Sequence, residues 1–248
     1  MEVTSERLTI GKFSQLIENE HLARYRFAAQ LVSGKNVADI ACGTGYGAQL
    51  LAEAGAKSVH GIDISDEAIQ FARENFSSPK VRFTTASAEN LKPIPDCEFD
   101  VVVSFETIEH LPNVEAYLSE IARILKPGGQ YLVSTPDRRI GSVLYPFTRR
   151  PANHFHVREF TRKEMIRMLG RKFRVEACFG QSFISRALVC WPVQILIKSA
   201  CRLAKTPVAT NFKDTLYSNG GNVEVLPCQG QGLRVAKYWL FQCVRASD

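Results

Sequence analysis

No stretch of this 248-residue chain strings together the roughly 18 uncharged apolar residues that a membrane-crossing helix needs, so no span is expected. The first residues are polar and charged and lack the apolar centre of a secretion signal. The seven cysteines show neither metal-type spacing nor a paired framework, which predicts reduced thiols and a cytoplasmic chain. Cys42, Cys178 and Cys243 lie in apolar runs and are expected in the core. No basic run is dense enough for a nucleic-acid patch, because Arg138-Arg139 and Arg149-Arg150 are isolated pairs. The net charge of +6 then favours smaller anionic partners or a membrane surface. Internal repeats and low-complexity tracts are also missing.

What is present is ordinary globular material, 45% hydrophobic and 23% charged, long enough for one elaborated α/β domain over residues 1–248. A helix is predicted over 14–33, with Leu16, Ile17, Leu22, Phe27 and Leu31 on its apolar face. Strand patterns follow at 36–41, 58–63, 80–85, 99–104 and 130–135. Helices at about 47–55, 66–75 and 113–125 separate them. That alternation predicts a parallel sheet covered on both faces. Ser65 before Asp66-Glu67 reads as a helix cap, and Thr161-Arg162-Lys163-Glu164 as a capping box opening a helix to about Arg171. Two further strands are expected at Phe173–Cys178 and Lys237–Val244. The segment between them, 181–236, is too long for a plain connection and reads as an insert over the ligand edge. From Pro192 it carries a helical pattern with a stripe of Gln194, Lys198, Arg202 and Lys205.

The strongest local signal is Val37-Ala38-Asp39-Ile40-Ala41-Cys42-Gly43-Thr44-Gly45-Tyr46-Gly47, a strand, a glycine bend and a helix start. Such a bend places backbone N–H groups and a helix N-terminus at the carboxyl end of a strand, where an anionic group can sit. Asp63 ends the next apolar run, where a ribose-hydroxyl acceptor is expected. An adenosine-containing cofactor follows. The bend alone does not choose it, since Gly43-x-Gly45-x-x-Ala48 also satisfies the loose fingerprint of nicotinamide and flavin enzymes.

Other segments shift the balance: Gly61-Ile62-Asp63-Ile64-Ser65, Ala86-Ser87-Ala88-Glu89-Asn90-Leu91, Phe99 through Leu111, and Leu125-Lys126-Pro127-Gly128-Gly129. Together with the glycine bend, they make the chain resemble the class I S-adenosylmethionine-dependent methyltransferases. The resemblance covers about residues 36–135. It implies a Rossmann-like seven-stranded sheet, mostly parallel with the last strand antiparallel, helices on both faces and an insert before the last strand. A helical cap would occupy 1–35, the core 36–180 and the last strand 237–248. The implied cofactor is S-adenosyl-L-methionine. Its methionine part falls to Gly43, Gly45 and the adjoining Ala41 and Cys42, and its amino group to Asp39. The ribose falls to Asp63 and the adenine to Ile64, with Ser87, Ala88 and Glu89 along the adenine edge. Many relatives carry an acid where Ser87 stands, so the adenine contact leans on backbone or Glu89. In similar enzymes a helix before the first strand closes over the cofactor, here with Arg24 and Tyr25.

A sulfonium is a cation that needs aromatic faces or oxygen dipoles, and Tyr46 and Phe105 are the aromatics the sequence places nearest. Methyl transfer to a hydroxyl needs a base, for which Glu106, Glu109, His110, His154 and His156 are the candidates. His154 and His156 have a ligand-like spacing but no accompanying carboxylate pattern, so no metal is expected. The expected acceptor is a small molecule, by preference a hydroxyl on a sugar, sugar nucleotide or lipid-linked glycan. The basis is Arg138, Arg139, Arg149 and Arg150 near the site and a basic, apolar 187–205 segment able to touch a membrane surface. A quinone-type lipid or an amine is the alternative acceptor. A nicotinamide-dependent oxidoreductase and a non-catalytic partner keeping the fold are the alternatives of another class.

Overall fold

The computed structural model describes residues 15–141, 150–185, 223–229, 231 and 234–246. The elements, in chain order, begin with α1 (Gln15–Ala29), β1 (Asn36–Ile40), α2 (Tyr46–Glu53), β2 (Ser58–Asp63), α3 (Asp66–Phe76) and β3 (Val81–Thr85). They continue through β4 (Phe99–Phe105), a 3₁₀ turn at Ile108–His110, α4 (Val114–Ile124), β5 (Leu125–Pro136) and the short α5 (Arg138–Gly141). The last are α6 (Arg162–Leu169), β6 (Phe173–Ser185), β7 (Val225–Pro227) and β8 (Arg234–Arg245).

One sheet of eight strands runs in the order β3-β2-β1-β4-β5-β8-β6-β7. The first five are parallel, whereas β8 pairs antiparallel with both β5 and β6, and β7 with β6. The seven strands expected are all there, and three residues from within the supposed insert add an eighth at the edge. β6 also runs past Cys178 to Ser185. The sheet reverses its winding between β1 and β4, so the crevice of a doubly wound fold opens at the carboxyl ends of those strands.

The alternating pattern works because both faces are covered. Val101 and Val103 of β4 join Val37, Leu51, Val59 and Ile69 on one side. Val102 joins Tyr117, Leu118, Ile121 and Tyr131 on the other. All are buried, which is why β4 carries the apolar run Val101-Val102-Val103 at its centre. The helix starts match their caps: Ser65 Oγ accepts from Ala68 N at 3.2 Å, and Thr161 and Glu164 complete a capping box.

Three expectations need correcting. The buried residues of α1 are Glu18, Glu20, Arg24, Tyr25 and Ala28; of the predicted apolar face, Leu22, Phe27 and Leu31 pack partly buried against the core, whereas Ile17 is 36% exposed. The charges of α1 are met from far along the chain. Glu20 accepts from Ser182 Oγ at 2.7 Å and from Lys237 Nζ at 3.0 Å, and Arg24 donates to Gln181 at 2.6 Å. Second, Cys178 is only half-buried, its Sγ 3.4 Å from that of Cys228. Third, Arg138 and Arg139 are engaged in ion pairs, with Glu164 at 3.0 Å and Asp137 at 2.6 Å. The helical pattern from Pro192, the 187–205 segment and Arg149 lie outside the described residues, as does most of the 181–236 insert.

Candidate active site

A cavity of about 820 Å³ opens in the crevice at the carboxyl ends of β1, β2 and β4, within the range of small-molecule sites. Two non-glycine residues adopt left-handed backbone there, Ala41 just after β1 at φ 60° and Glu106 just after β4 at φ 53°. Each costs of order 1–3 kcal/mol, and such strain concentrates where the chain must aim groups at a ligand. Both line the cavity.

The glycine bend forms one end. Gly43 is left-handed at φ +54°, and a Cβ built on it would meet nothing within 4 Å. Gly45, at φ +89°, faces inward, where a Cβ would press on Ala72 at 2.7 Å and on the Phe83 ring at 2.9 Å. Gly43 therefore lines the cavity and Gly45 makes the bend possible without lining it. Asp63, nearly buried, ties β2 to this bend. Its Oδ2 accepts from Gly43 N and its Oδ1 from Ser65 N, both at 2.9 Å. A carboxylate offers about four acceptor positions, which suits it to hydroxyl donors as well as to backbone N–H groups.

Tyr25 from α1 lies over the bend. Its ring stands edge-on to Tyr46 at 5.5 Å and to Phe105 at 5.2 Å. All three line the cavity, as do Cys42 and the exposed Ile64. Gly47 lets Tyr25 in, since a Cβ there would fall 2.1 Å from the tyrosine ring. The Tyr25 hydroxyl donates to the Asp39 carboxylate, 3.1 Å from each oxygen. Asp39 itself is fully buried and off the cavity wall. Burial pushes its carboxyl up to about 7, a rise the Tyr25 bond opposes and Asp63 reinforces. Arg24 is also off the wall, under Tyr238, 4.7 Å from its ring centre.

Ser87, Ala88 and Glu89 line the side beyond Asp63. Ser87 Oγ accepts from Glu89 N at 3.2 Å, and the Glu89 carboxylate accepts from Asn113 N.

Glu106, Glu109, His110 and His156 converge at the other end. Glu106 Oε1 accepts from Ser134 Oγ at 2.7 Å. Glu109 is completely buried, and burial, with Glu106 adding to it, holds its carboxyl well above the usual range. Its Oε2 accepts from Thr135 Oγ1 at 3.1 Å. The His110 and His156 rings meet edge-on at 4.8 Å. His154 does not join them, being exposed and laid against Phe155 at 3.8 Å. Sequence reasoning missed Asn153, Glu159, Lys237 and Tyr238, which line the cavity from the loop before α6 and from β8. Only the pairing of β8 with β5, Tyr238 opposite Pro136, brings the last two there. Among the described lining residues, five carboxyl groups face one lysine, and that lysine is paired with Glu20.

Comparison with known proteins fits this geometry. A methyltransferase domain family matches residues 38–133. A protein of Mycolicibacterium smegmatis described as a probable S-adenosylmethionine-dependent methyltransferase is 37% identical over 161 residues, 64% of this chain and 60% of that one. A ubiquinone biosynthesis O-methyltransferase of Thiobacillus denitrificans is 38% identical over 46% of this chain and 49% of its own. A fatty-acid O-methyltransferase of Mycolicibacterium smegmatis is 35% identical over 47% and 45%. Each match spans less than two thirds of the relative's own length. The fold alone is shared with an S-adenosylmethionine-dependent methyltransferase of Mesorhizobium loti, at 17% identity and a TM-score of 0.61 over 93% of this chain and all of that one.

Proposed function

By its residues 38–133 the chain belongs to the class I S-adenosylmethionine-dependent methyltransferases, and we propose that it methylates a hydroxyl oxygen of a small, uncharged acceptor. The observation that carries this reading is one cavity with a glycine bend and Asp63 at one end and Glu106 at the other.

The residues present fit S-adenosylmethionine. The Gly43 bend and the start of α2 suit its carboxylate, since a helix N-terminus carries partial positive charge. Asp63 suits the ribose hydroxyls, which donate. Ile64 offers an exposed apolar face for the adenine, beside Ser87 and Ala88. Tyr25, Tyr46 and Phe105 supply the aromatic faces that a sulfonium requires. Asp39 acts from behind, by holding the Tyr25 hydroxyl. α1 is the cap on this side.

When bound, the cofactor supplies an electrophilic methyl group: the acceptor oxygen forms the new C–O bond as the C–S bond breaks, its electron pair staying on sulfur as a neutral thioether. The chain aligns the two and takes the acceptor's proton. Alignment of this kind is worth on the order of 7–11 kcal/mol, and a positioned base roughly 10²–10⁴-fold. Glu106 is the proton acceptor in this reading, held by Ser134 and by its left-handed backbone.

The acidic wall supports an uncharged acceptor. A phosphorylated sugar nucleotide would meet the carboxyl groups of Glu106, Glu109 and Glu159, and Arg138 and Arg139 are committed to other partners. An unphosphorylated sugar hydroxyl or a quinone-type phenol suits the wall better. The named activities of the ubiquinone and fatty-acid O-methyltransferases support oxygen as the acceptor atom. Transfer of a labelled methyl group to matched panels of neutral glycosides, phenols, amines and nucleotide sugars tests this. Incorporation into a neutral hydroxyl compound is expected. Incorporation confined to amines or nucleotide sugars refutes the acceptor, and failure to bind S-adenosylhomocysteine refutes the cofactor.

A further inference from the structure

We propose that Glu109, His110 and His156 bind one divalent first-row transition cation at the acceptor end of the cavity. The sequence does not group these three residues, since His156 stands far along the chain from the Glu109-His110 pair. The fold closes that gap: Val157 N and Arg158 N donate to the Glu109 carbonyl at 2.9 and 3.1 Å, pinning the histidine loop to the 3₁₀ turn after β4. One donor atom from each of the three side chains then lies within 4.8 Å of the others.

The surrounding hydrogen bonds are those a ligated histidine needs. His156 Nδ1 lies 2.9 Å from the Glu159 carboxylate, and Glu159 is 1% exposed. His110 Nδ1 lies 3.2 Å from the Phe155 carbonyl oxygen. Both partners accept, so each ring carries its proton on Nδ1 and turns a lone pair outward on Nε2. A carboxylate or carbonyl behind the ring is the usual support of a metal-bound imidazole. Glu109 supplies the independent sign. Its side chain is fully buried and lines the cavity, yet its Oε1 has no hydrogen-bond partner and faces His110 Nε2 at 4.0 Å. A buried oxygen in that condition is costly, and a cation relieves it.

Two imidazoles and a carboxylate select Mn, Fe, Co or Zn over Ca or Mg, which prefer oxygen. Ligand distances of about 2.0–2.2 Å place neighbouring donors about 3.0–3.4 Å apart, so binding draws the widest pair, now within 4.8 Å, together by roughly 1.5 Å. The amide of the exposed Asn153, now 2.9 Å from His156 Nε2, swings aside. Three protein ligands leave positions open for the acceptor oxygen, whose acidity the cation raises before its proton passes to Glu106. That last consequence rests on the proposed function, whereas the site rests on the three residues alone.

The test uses the full chain stripped with a chelator and titrated separately with Mn²⁺, followed by paramagnetic resonance, and with Zn²⁺, followed by calorimetry. Binding of one ion per chain is expected, weakened at least tenfold in both His110→Ala and Glu109→Gln. The amide of Glu109→Gln still accepts from Thr135, and cooperative melting checks that each variant folds, so one folded variant suffices. The proposal is overturned if neither ion binds, or if a folded variant binds as tightly as the parent, the ion then sitting elsewhere, as at Cys178 and Cys228. S-adenosylhomocysteine binding, measured in parallel without metal, keeps the cofactor reading separate: its loss would sink that reading and leave the cation site standing.

Discussion

Asp39 lies beneath the glycine bend, fully buried under Tyr25. It titrates near 7 in the folded chain against an ordinary value of 3.8. The folded state therefore holds this proton more tightly than the unfolded state. The contribution to stability is fully present below pH 3.8 and is lost as pH rises through 7. At about 1.4 kcal/mol for each of roughly three pH units, the loss reaches at most about 4 kcal/mol by pH 8. About 3 kcal/mol of it accrues between pH 5 and 8. Asp39→Asn removes the charge and keeps an oxygen to accept from Tyr25. Urea unfolding of parent and variant is expected to show the variant gaining on the parent as pH rises, by about 3 kcal/mol across that window. Carboxyl groups remote from Asp39 cancel between the two proteins, so the difference reports Asp39 together with its interaction with Asp63. A stability gap that stays constant from pH 5 to pH 8 would refute the argument that Asp39 ionises at a cost.

Two further substitutions probe the bend. Asp63→Ala removes the acceptor of both Gly43 N and Ser65 N as well as that of the ribose, and is expected to weaken S-adenosylhomocysteine binding by about 1.5–3 kcal/mol, read by calorimetry. Unchanged affinity would show that the ribose lies elsewhere. Gly47→Ala drives a methyl group into the Tyr25 ring and is expected to cost about 1–3 kcal/mol of stability, as overpacking does, but little in a Tyr25→Ala background. Equal penalties in the two backgrounds would mean that Tyr25 is not what Gly47 accommodates.

The parallel half of the sheet was legible because its signals are local. Covered strands read as apolar runs, and the turns carry Gly43, Gly45 and Gly128, each at positive φ. Ser65 and Thr161 announce their helices within four residues. The same locality made Ala41 to Gly43, Asp63, Ile64 and Ser87 to Glu89 readable as one wall. What stayed hidden depends on partners remote in sequence. The buried charges of α1 make sense only beside Gln181, Ser182 and Lys237, so an apolar-stripe rule found Leu22, Phe27 and Leu31 but missed Glu20 and Arg24. Asp39 looked like a contact residue until Tyr25 was seen to cover it. His154 and His156 could not be told apart by spacing. Backbone bonds to Glu109 bring one inward, and the other stays in solvent against Phe155.

The position of β8 bears on how this protein is made. A ribosome releases β5 and β6 well before the strand that must slot between them, and that strand delivers Lys237 to Glu20 across 217 positions of sequence. Until it arrives, two neighbours expose unpaired edges and α1 lacks its counter-charge. The nascent chain is therefore expected to be most prone to aggregate, and most dependent on chaperones, after β6 has emerged and before β8 has, and to complete its ligand chamber only when β8 pairs.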